Sequence, residues 1–162
     1  MKIAMFGHKR IPSREGGVEI VVEELASRMV KTGNEVTCFN RNGKGCVSQK
    51  YGKRYNFNGI EVKTVPTIDK KGMAAVTAAF FSSVMAAFGK YDIVHIHAEG
   101  PAFFSWIPKL FHKKIVVTVH GLDWQREKWK GGFGAKFIRK GEENAVKYAD
   151  EIIVLSKNVE QY

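Results

Sequence analysis

The sequence has 162 residues, of which 44% are hydrophobic and 26% are charged. These values exclude a wholly disordered chain and predict one ordinary domain with a real core. The formal net charge of +10 favours a polyanionic partner, such as a nucleic acid, an anionic membrane face or a phosphorylated substrate.

Apolar patterning along the chain predicts strands and helices in alternation. The predicted strands are Lys2–Gly7, Glu35–Asn40, Gly59–Ile68, Asp92–His97, Ile115–Val119 and Glu151–Leu155. The predicted helices are Val18–Lys31, Lys70–Gly89, Pro101–Phe111 and Phe133–Tyr148. The polar, Gly-rich segment Arg41–Asn58 is predicted as a long loop. This alternation indicates an α/β fold, a Rossmann-like doubly wound parallel sheet.

Cysteine usage and apolar runs bear on the compartment. Two cysteines are too few for a disulfide framework or a metal quartet, so we expect a reducing, cytoplasmic location. Cys38, in an apolar strand pattern, is predicted to be buried, and Cys46, in a loop, to be exposed. No signal peptide is expected, because Met1–Phe6 runs straight into a strand. The longest apolar stretch, Met73–Phe88, is shorter than a bilayer span and is predicted as a buried helix.

Two glycines, Gly16 and Gly17, lie between the first predicted strand and the first predicted helix. Glycines there let backbone N–H groups approach a phosphate in front of the positive end of a helix. A tight strand-to-helix turn also requires glycine, so both interpretations stay open. The loop is not G-x-G-x-x-G and the second strand ends without an acid for a ribose, which disfavours a nicotinamide dehydrogenase. Arg14, just before the glycines, is either a substrate contact or a solvated loop residue.

Histidines lie at the ends of two predicted strands. His95 and His97 share one face of the fourth strand. His95 is predicted either in the core or directly behind a residue of the site, and His97, with Glu99, is a binding-site candidate. His120 ends the fifth strand. Because ligands bind outside the carboxyl ends of parallel strands, an imidazole there suits a sugar- or phosphate-handling site. No third or fourth ligand accompanies the histidine pair, so no metal is expected.

A basic, indole-rich region follows His120. Residues 109–140 contain nine Lys and Arg residues but only two acidic residues, Asp123 and Glu127. This segment therefore carries +7 of the net charge. Trp124 and Trp129 suit either a membrane interface or packing between a loop and the next helix. The basic side of the helix predicted from Phe133 is likewise either a solvated face or a membrane-binding face.

Five segments carry a family resemblance. They are KIAMFG, IPSREGGVE, DIVHIH, VTVHGLDWQREKW and ADEIIVLSKNVEQY, which together span essentially the whole chain. In this order they resemble the N-terminal domain of GT-B glycosyltransferases, particularly the retaining family-four enzymes that build bacterial polysaccharides. The segment HGLDWQREKW is similar to a rhamnosyltransferase-like subgroup. The resemblance implies two Rossmann-like domains facing a cleft: residues 1–162 form the acceptor-side domain, and the nucleotide-sugar domain is absent from this chain.

The resemblance also implies roles for individual residues. Gly16 and Gly17 would approach the donor diphosphate. His120 would contact the donor sugar as the catalytic residue, with nearby backbone stabilising positive charge at the anomeric carbon. The residues that would face the acceptor are Arg14, His97, Glu99 and Asp123. No cofactor other than the nucleotide-sugar substrate, and no metal, is expected.

The sequence therefore predicts the acceptor-side domain of a retaining, hexosyltransferase-type glycosyltransferase. It would move a sugar from a nucleotide-sugar to a lipid-linked or polysaccharide acceptor in cell-surface glycan synthesis, peripherally at the cytoplasmic face of an anionic membrane. Residues 1–162 alone are expected to be inactive, because half of the cleft is absent. An alternative is a non-catalytic subunit that recruits a separate catalytic chain to the membrane, as in some two-chain N-acetylglucosaminyltransferases. A nucleic-acid-binding module rests on charge alone and ranks last.

Overall fold

The structure is a computed structural model that describes residues 1–43, 46, 52–70, 72–121, 133–155 and 157–160. Its strands are β1 (Lys2–Phe6), β2 (Glu35–Arg41), β3 (Arg54–Phe57), β4 (Ile60–Val65), β5 (Ile93–His97), β6 (Lys114–Val119) and β7 (Glu151–Val154). Its helices are α1 (Gly17–Lys31), α2 (Met73–Phe88), α3 (Glu99–Ala102), α4 (Trp106–Leu110), α5 (Phe133–Tyr148) and α6 (Lys157–Glu160).

One seven-stranded sheet organises these elements, in the order β3-β4-β2-β1-β5-β6-β7. All neighbouring strands are parallel except β3 and β4, which pair antiparallel. The predicted α/β fold with a Rossmann-like parallel sheet is confirmed. Because β1, β5 and β6 lie in the middle of the sheet, they are buried on both faces and appear in the sequence as continuous apolar runs.

Helices cover both faces of the sheet, and alternate side chains of β1 pack into the cores on the two faces. Ala4 and Phe6 belong to a core with Ala78 and Ala86 of α2. Ile3 and Met5, with the opposite side-chain direction, belong to a second core with residues of α1. In α1 the inward residues Val22 and Ala26 recur four positions apart, as an amphipathic helix requires.

Three predictions need correction. Residues 54–57 form β3 rather than part of a loop, because Asn58 and Gly59 both have positive φ (50° and 84°) and turn the chain into a hairpin with β4. The helix predicted at Pro101–Phe111 is two short helices, α3 and α4. Cys46 is buried rather than exposed, and its N–H donates to the Gly43 carbonyl at 3.0 Å.

One further prediction is confirmed and another is confirmed in part. Cys38 is a buried thiol, and burial raises its pKa. Residues 73–88 form the predicted helix, α2, but it is buried on one side only: Phe80 and Phe88 are exposed. The buried side consists of Ala78, Ala79, Ser82, Ser83, Ala86 and Ala87. Within the described ranges, no helix combines the length and the apolarity that crossing a membrane would require.

Candidate functional site

The carboxyl ends of β1, β5 and β6 lie side by side at one edge of the sheet, since these strands are parallel neighbours. The chain leaves this edge at Gly7, Ala98 and His120, respectively. Ligands of open parallel sheets bind outside such an edge. The predicted site residues that the structure describes therefore lie at or next to this edge.

His97 and His120 meet through their rings. Nδ1 of His97 lies 3.1 Å from Nε2 of His120, and the ring centroids are 5.4 Å apart. The strand register explains the meeting, because His97 pairs with Thr118 across β5 and β6. Residue 120 is two positions beyond Thr118 and so points to the same face of the sheet.

His95 supports this pair from below. Its ring stacks on that of His97 with centroids 4.3 Å apart and planes 27° from parallel. Its Nε2 lies 2.7 Å from Oγ1 of Thr118, which fixes the ring within the core. The prediction that His95 is a core residue is confirmed, because only 2% of it is exposed.

Burial keeps these histidines neutral at neutral pH. Burial, with a smaller contribution from His120, lowers the pKa of His95 to about 4. Burial lowers the pKa of His97 well below its usual value, and the nearby His95, His120 and His8 lower it further. Nε2 of His97 is buried without a hydrogen-bond partner among the described residues. A neutral His97 therefore places a fixed dipole behind His120 rather than a charge.

Backbone strain marks the same place. Ala98, between His97 and Glu99, has φ 77° and ψ 155°, a region that residues other than glycine rarely adopt. Its N–H donates to the carbonyl of Thr118 at 2.9 Å, which holds the turn against β6. Glu99 opens α3 and is buried, with 1% exposed. Gly7 passes so close to this turn that a Cβ on it would lie 2.0 Å from the His97 carbonyl oxygen.

The loop between β1 and α1 holds the other predicted residues. Arg14 donates to Oε1 of the buried Glu23 at 3.0 Å, while about two thirds of its side chain stays exposed. Gly16 is the N-cap of α1, with extended backbone and no side-chain cap. A Cβ on Gly16 would meet the Glu19 carboxylate at 2.1 Å, whereas a Cβ on Gly17 would meet nothing within 4 Å. Packing therefore does not require glycine at position 17.

The loop is tied to β2 through Asn40. Its Oδ1 accepts the Ile11 N–H at 3.0 Å and its Nδ2 donates to the Ile11 carbonyl at 3.0 Å. The same Oδ1 lies 3.0 Å from Nε2 of His8, and the Tyr55 hydroxyl donates to the Ile11 carbonyl. The sequence patterns do not single out His8 or Asn40. The available signal is that His8 follows β1 and that Asn40 is the penultimate residue of β2, so both lie at the carboxyl ends of buried strands.

The structure thus brings together His97, Glu99 and His120 at the ends of β5 and β6, and places Arg14, Gly16 and Gly17 on the β1–α1 loop. Asp123, Trp124 and Trp129 lie outside the described residues. In the part of the chain that the structure describes, no group of three or more His, Cys, Asp or Glu side chains is arranged to hold a metal ion.

Comparison with known proteins identifies a family. The model of glycosyltransferase family 4 matches residues 15–162. A search of curated protein sequences gave no significant match.

Several solved structures share the fold. Sucrose-phosphate synthase from Thermosynechococcus elongatus superposes with a TM-score of 0.76 at 17% identity, over 99% of this chain and 44% of that one. The catalytic domain of starch synthase IV from Arabidopsis thaliana, bound to ADP and acarbose, gives 0.56 at 15% identity, over 75% and 34%. Anabaena HepE, in complex with UDP and glucose, gives 0.57 at 15% identity, over 94% and 37%. The chain spans less than half the length of each.

Proposed function

The chain belongs to glycosyltransferase family 4, and from that premise we propose that it is the acceptor-side domain of a retaining glycosyltransferase of a rhamnosyltransferase-like subgroup. The enzyme moves a sugar from a nucleotide-sugar to a lipid-linked or polysaccharide acceptor in cell-surface glycan synthesis. The observation that carries the proposal is the His97–His120 pair at the carboxyl edge of the sheet. The ADP and UDP in the starch synthase IV and HepE structures support a nucleotide-sugar donor.

The donor side of the proposal uses His120 and the start of α1. In sugar transfer, the bond from the anomeric carbon to the diphosphate breaks as the bond to the acceptor oxygen forms, and the proton of the acceptor hydroxyl passes to the departing diphosphate oxygen. Positive charge develops on the sugar and negative charge on the leaving diphosphate. Backbone N–H groups at the start of α1, behind Gly16 and Gly17, suit the leaving diphosphate. His120 contacts the donor sugar in this proposal, and His97 holds the His120 ring in place.

The acceptor side uses groups from three loops. Arg14 is held against α1 by Glu23 and remains largely exposed, so its guanidinium can meet a ligand outside the sheet edge. His97 and Glu99 are buried at the turn after β5 and shape the floor of the acceptor site. Asp123 completes the proposed set. Since the chain forms one wall of a two-domain cleft in this proposal, residues 1–162 alone are expected to be inactive.

The test is a transfer assay on the native protein, isolated from its source cells with an antibody against this domain. Labelled nucleotide-sugars are offered with the lipid extract of the same cells. We expect label in the lipid or polysaccharide fraction, and a loss of about a hundredfold in His120→Ala. His112→Asn, at an exposed position with φ 56° that asparagine tolerates, is the matched control.

Each other outcome decides against part of the proposal. Transfer that survives His120→Ala removes His120 from the donor site, and no transfer from any nucleotide-sugar overturns the proposed activity. Transfer by residues 1–162 alone contradicts the expected inactivity. A native protein that ends near Tyr162 and co-isolates with a second chain favours the non-catalytic, membrane-recruiting subunit instead.

An apolar surface supports peripheral attachment to an anionic membrane. Its exposed members are Phe88 at the end of α2, Trp106 and Leu110 of α4, and Phe111. The rings of Phe88 and Phe111 contact each other with centroids 4.6 Å apart. We call these four residues the aromatic patch.

Basic residues accompany the aromatic patch. Lys109, Lys113 and Lys114 come from the same segment, and Lys113 donates to the carbonyls of Gly89 and Tyr91, directly after Phe88. Apolar side chains flanked by lysines match the acyl and headgroup layers of an anionic leaflet. The patch precedes β5 and β6, so it lies at the sheet edge opposite the candidate site and leaves that site open.

A further inference from the structure

A small cavity opens beside the histidines, between α2 and the carboxyl ends of β1 and β2. Its polar lining comes from Gly7, His8, Arg41 and Ser82. The facing turns of α2 contribute alanines, and these small side chains leave the space open. None of these residues belongs to a motif that the sequence predicts to be functional.

The hydrogen bond of His8 Nε2 determines which of its two ring nitrogens carries the proton. The paired bonds between Asn40 and the Ile11 backbone fix the orientation of the Asn40 amide, so the atom next to His8 Nε2 is the carbonyl oxygen. An oxygen of this kind only accepts, and Nε2 must therefore carry the proton. Burial lowers the pKa of His8 to about 4, so the ring is neutral at neutral pH.

Nδ1 of His8 is consequently a hydrogen-bond acceptor. Only 2% of the residue is exposed, and Nδ1 has no hydrogen-bond partner among the described residues. Leaving a buried polar atom without a partner costs free energy, and native structures do so rarely. The free lone pair of Nδ1 fits a ligand that donates a hydroxyl proton.

Arg41, the last residue of β2, supplies the opposite chemistry to the same cavity. Among the described residues, its guanidinium donates a single hydrogen bond, a long one of 3.5 Å to the Gly7 carbonyl. Burial lowers its pKa, although Cys46 and Glu19 oppose the effect. No described carboxylate lies within 4.0 Å of it to form an ion pair. A guanidinium offers five N–H donors, so most of its capacity is unused.

We propose that this cavity and its mouth bind an anionic, hydroxylated ligand, with the Arg41 guanidinium donating to a phosphate or carboxylate and Nδ1 of His8 accepting from a neighbouring hydroxyl. The cavity has room for about one water-sized group. The hydroxyl therefore enters it to reach Nδ1, while the anionic group lies at its mouth against the half-buried Arg41 and the remainder of the ligand stays outside. The identity of this ligand as the acceptor rests on the proposed function; the site itself does not.

The experiment is calorimetric titration of the chain, without any donor, with four probes. They are glucose 6-phosphate, glucuronate, inorganic phosphate and glucose. The first two combine an anion with hydroxyl groups and separate phosphate from carboxylate as the source. We expect one of these two to bind more tightly than glucose and inorganic phosphate, since only they supply both interactions.

Two variants test Arg41. Arg41→Gln removes the charge and should weaken binding of the favoured probe by about tenfold or more, as expected for a lost charge-assisted hydrogen bond. Arg28→Gln is the matched control, because Arg28 is an exposed α1 residue 3.5 Å from Glu24 and its loss changes the net charge equally. Arg41→Lys keeps the charge but loses the planar guanidinium. Its affinity for the favoured probe should lie between those of Arg41→Gln and Arg28→Gln.

A second measurement reports on His8 in the unaltered chain. The ¹⁵N resonance of Nδ1 should move when the favoured probe is added, because its lone pair then accepts a hydrogen bond, and should not move with inorganic phosphate. Equal weakening by Arg41→Gln and Arg28→Gln, equal binding of glucose and the anionic sugars, an unmoved Nδ1 resonance, or no binding of any probe would each overturn the proposal. A failed transfer assay leaves these binding results unchanged, so the two proposals fail separately.

Discussion

Nδ1 of His97 lies 3.1 Å from Nε2 of His120, so a fully buried imidazole is hydrogen-bonded to the imidazole that directly follows β6. One of the two nitrogens must donate and the other accept, which couples the tautomer of His120 to that of His97. His95, stacked beneath His97 and bonded to Thr118, holds the inner ring in place. The orientation of His120 is thus set by the core of the sheet.

Replacing the inner histidine should therefore impair His120 without removing it. In His97→Phe, a ring still packs on His95 but cannot bond to His120, and we expect kcat for sugar transfer to fall by about tenfold with little change in KM. His97→Asn, whose amide can replace Nδ1 in the bond, should recover part of the activity. The ¹⁵N spectrum of His120 should show its tautomer ratio altered in His97→Phe. An unaltered ratio would make His97 a packing residue alone.

Buried neutral histidines should make the fold sensitive to acid. Burial holds the pKa of His8 and His95 at about 4 and that of His97 well below its usual value, whereas an unfolded histidine titrates near 6.5. Between these values the unfolded chain binds more protons than the folded one, so the free energy of unfolding falls as the pH drops below about 6.5. Each histidine contributes a slope of about 1.4 kcal/mol per pH unit, which ends near its folded pKa.

Urea unfolding at several pH values between about 7 and 4.5 measures this slope. His95→Gln should reduce it by the contribution of one histidine, whereas His112→Asn, at an exposed site, should leave it unchanged. A free energy of unfolding that stays constant over this range would show that the three rings are protonated as easily in the fold as outside it.

A substitution at Gly17 should affect donor binding without lowering the stability of the fold. A methyl group there meets no atom within 4 Å, and alanine favours a helix, so Gly17→Ala should be as stable as the original or up to about 1 kcal/mol more so. If the donor diphosphate approaches this backbone, the methyl group should weaken nucleotide-sugar binding to the native protein by about tenfold. Unchanged binding in a stable Gly17→Ala protein would exclude Gly17 from the donor site.

Gly7 should behave in the opposite way. Its φ of +116° disfavours other residues, and a Cβ would lie 2.0 Å from the His97 carbonyl oxygen. Gly7→Ala should therefore lower the free energy of unfolding by more than about 2 kcal/mol, as measured by urea titration. A stable Gly7→Ala variant would mean that the β1 and β5 ends can separate without cost.

The aromatic patch should attach the chain to anionic vesicles. Replacing Leu110 and Phe111 together by serine should reduce co-sedimentation with phosphatidylglycerol vesicles at low salt, because apolar contact area is lost. The same change at Ile152 and Ile153, which are also exposed but lie on β7, is the control. Binding that is equal on neutral and anionic vesicles, or that both double variants reduce alike, would contradict a specific membrane surface.

The sequence predicts most of the fold because the central strands are buried on both faces. β1, β2, β5, β6 and β7 fall within a residue or two of their predicted positions. β3 escapes prediction because only alternate residues of RYNF are half-buried at the sheet margin, although Asn58-Gly59 is a recognised hairpin signal. The break between α3 and α4 also escapes, since the apolar pattern of 101–111 runs through it.

The site is predictable only as far as strand ends can be located. The sequence predicts that His97 and His120 each lie at the carboxyl end of a strand in a parallel sheet, but it does not predict that these two strands are neighbours. It does not predict their hydrogen bond, the neutrality of the buried rings, or the involvement of His8 and Arg41. The hydrogen bond depends on the pairing of β5 with β6, and the neutrality depends on burial in the core. The position of His8 depends on how the β1–α1 loop folds onto β2 through Asn40, a contact between residues 29 positions apart.

β7 lies at one end of the sheet order, and this position affects the tendency of the protein to aggregate. Among the described strands β7 pairs with β6 alone, and Ile152 and Ile153 expose about two fifths of their surface on its two faces. An apolar edge strand of this kind recruits strands from other molecules. Concentrated samples should therefore aggregate through this edge strand, and Ile153→Lys should reduce the aggregation.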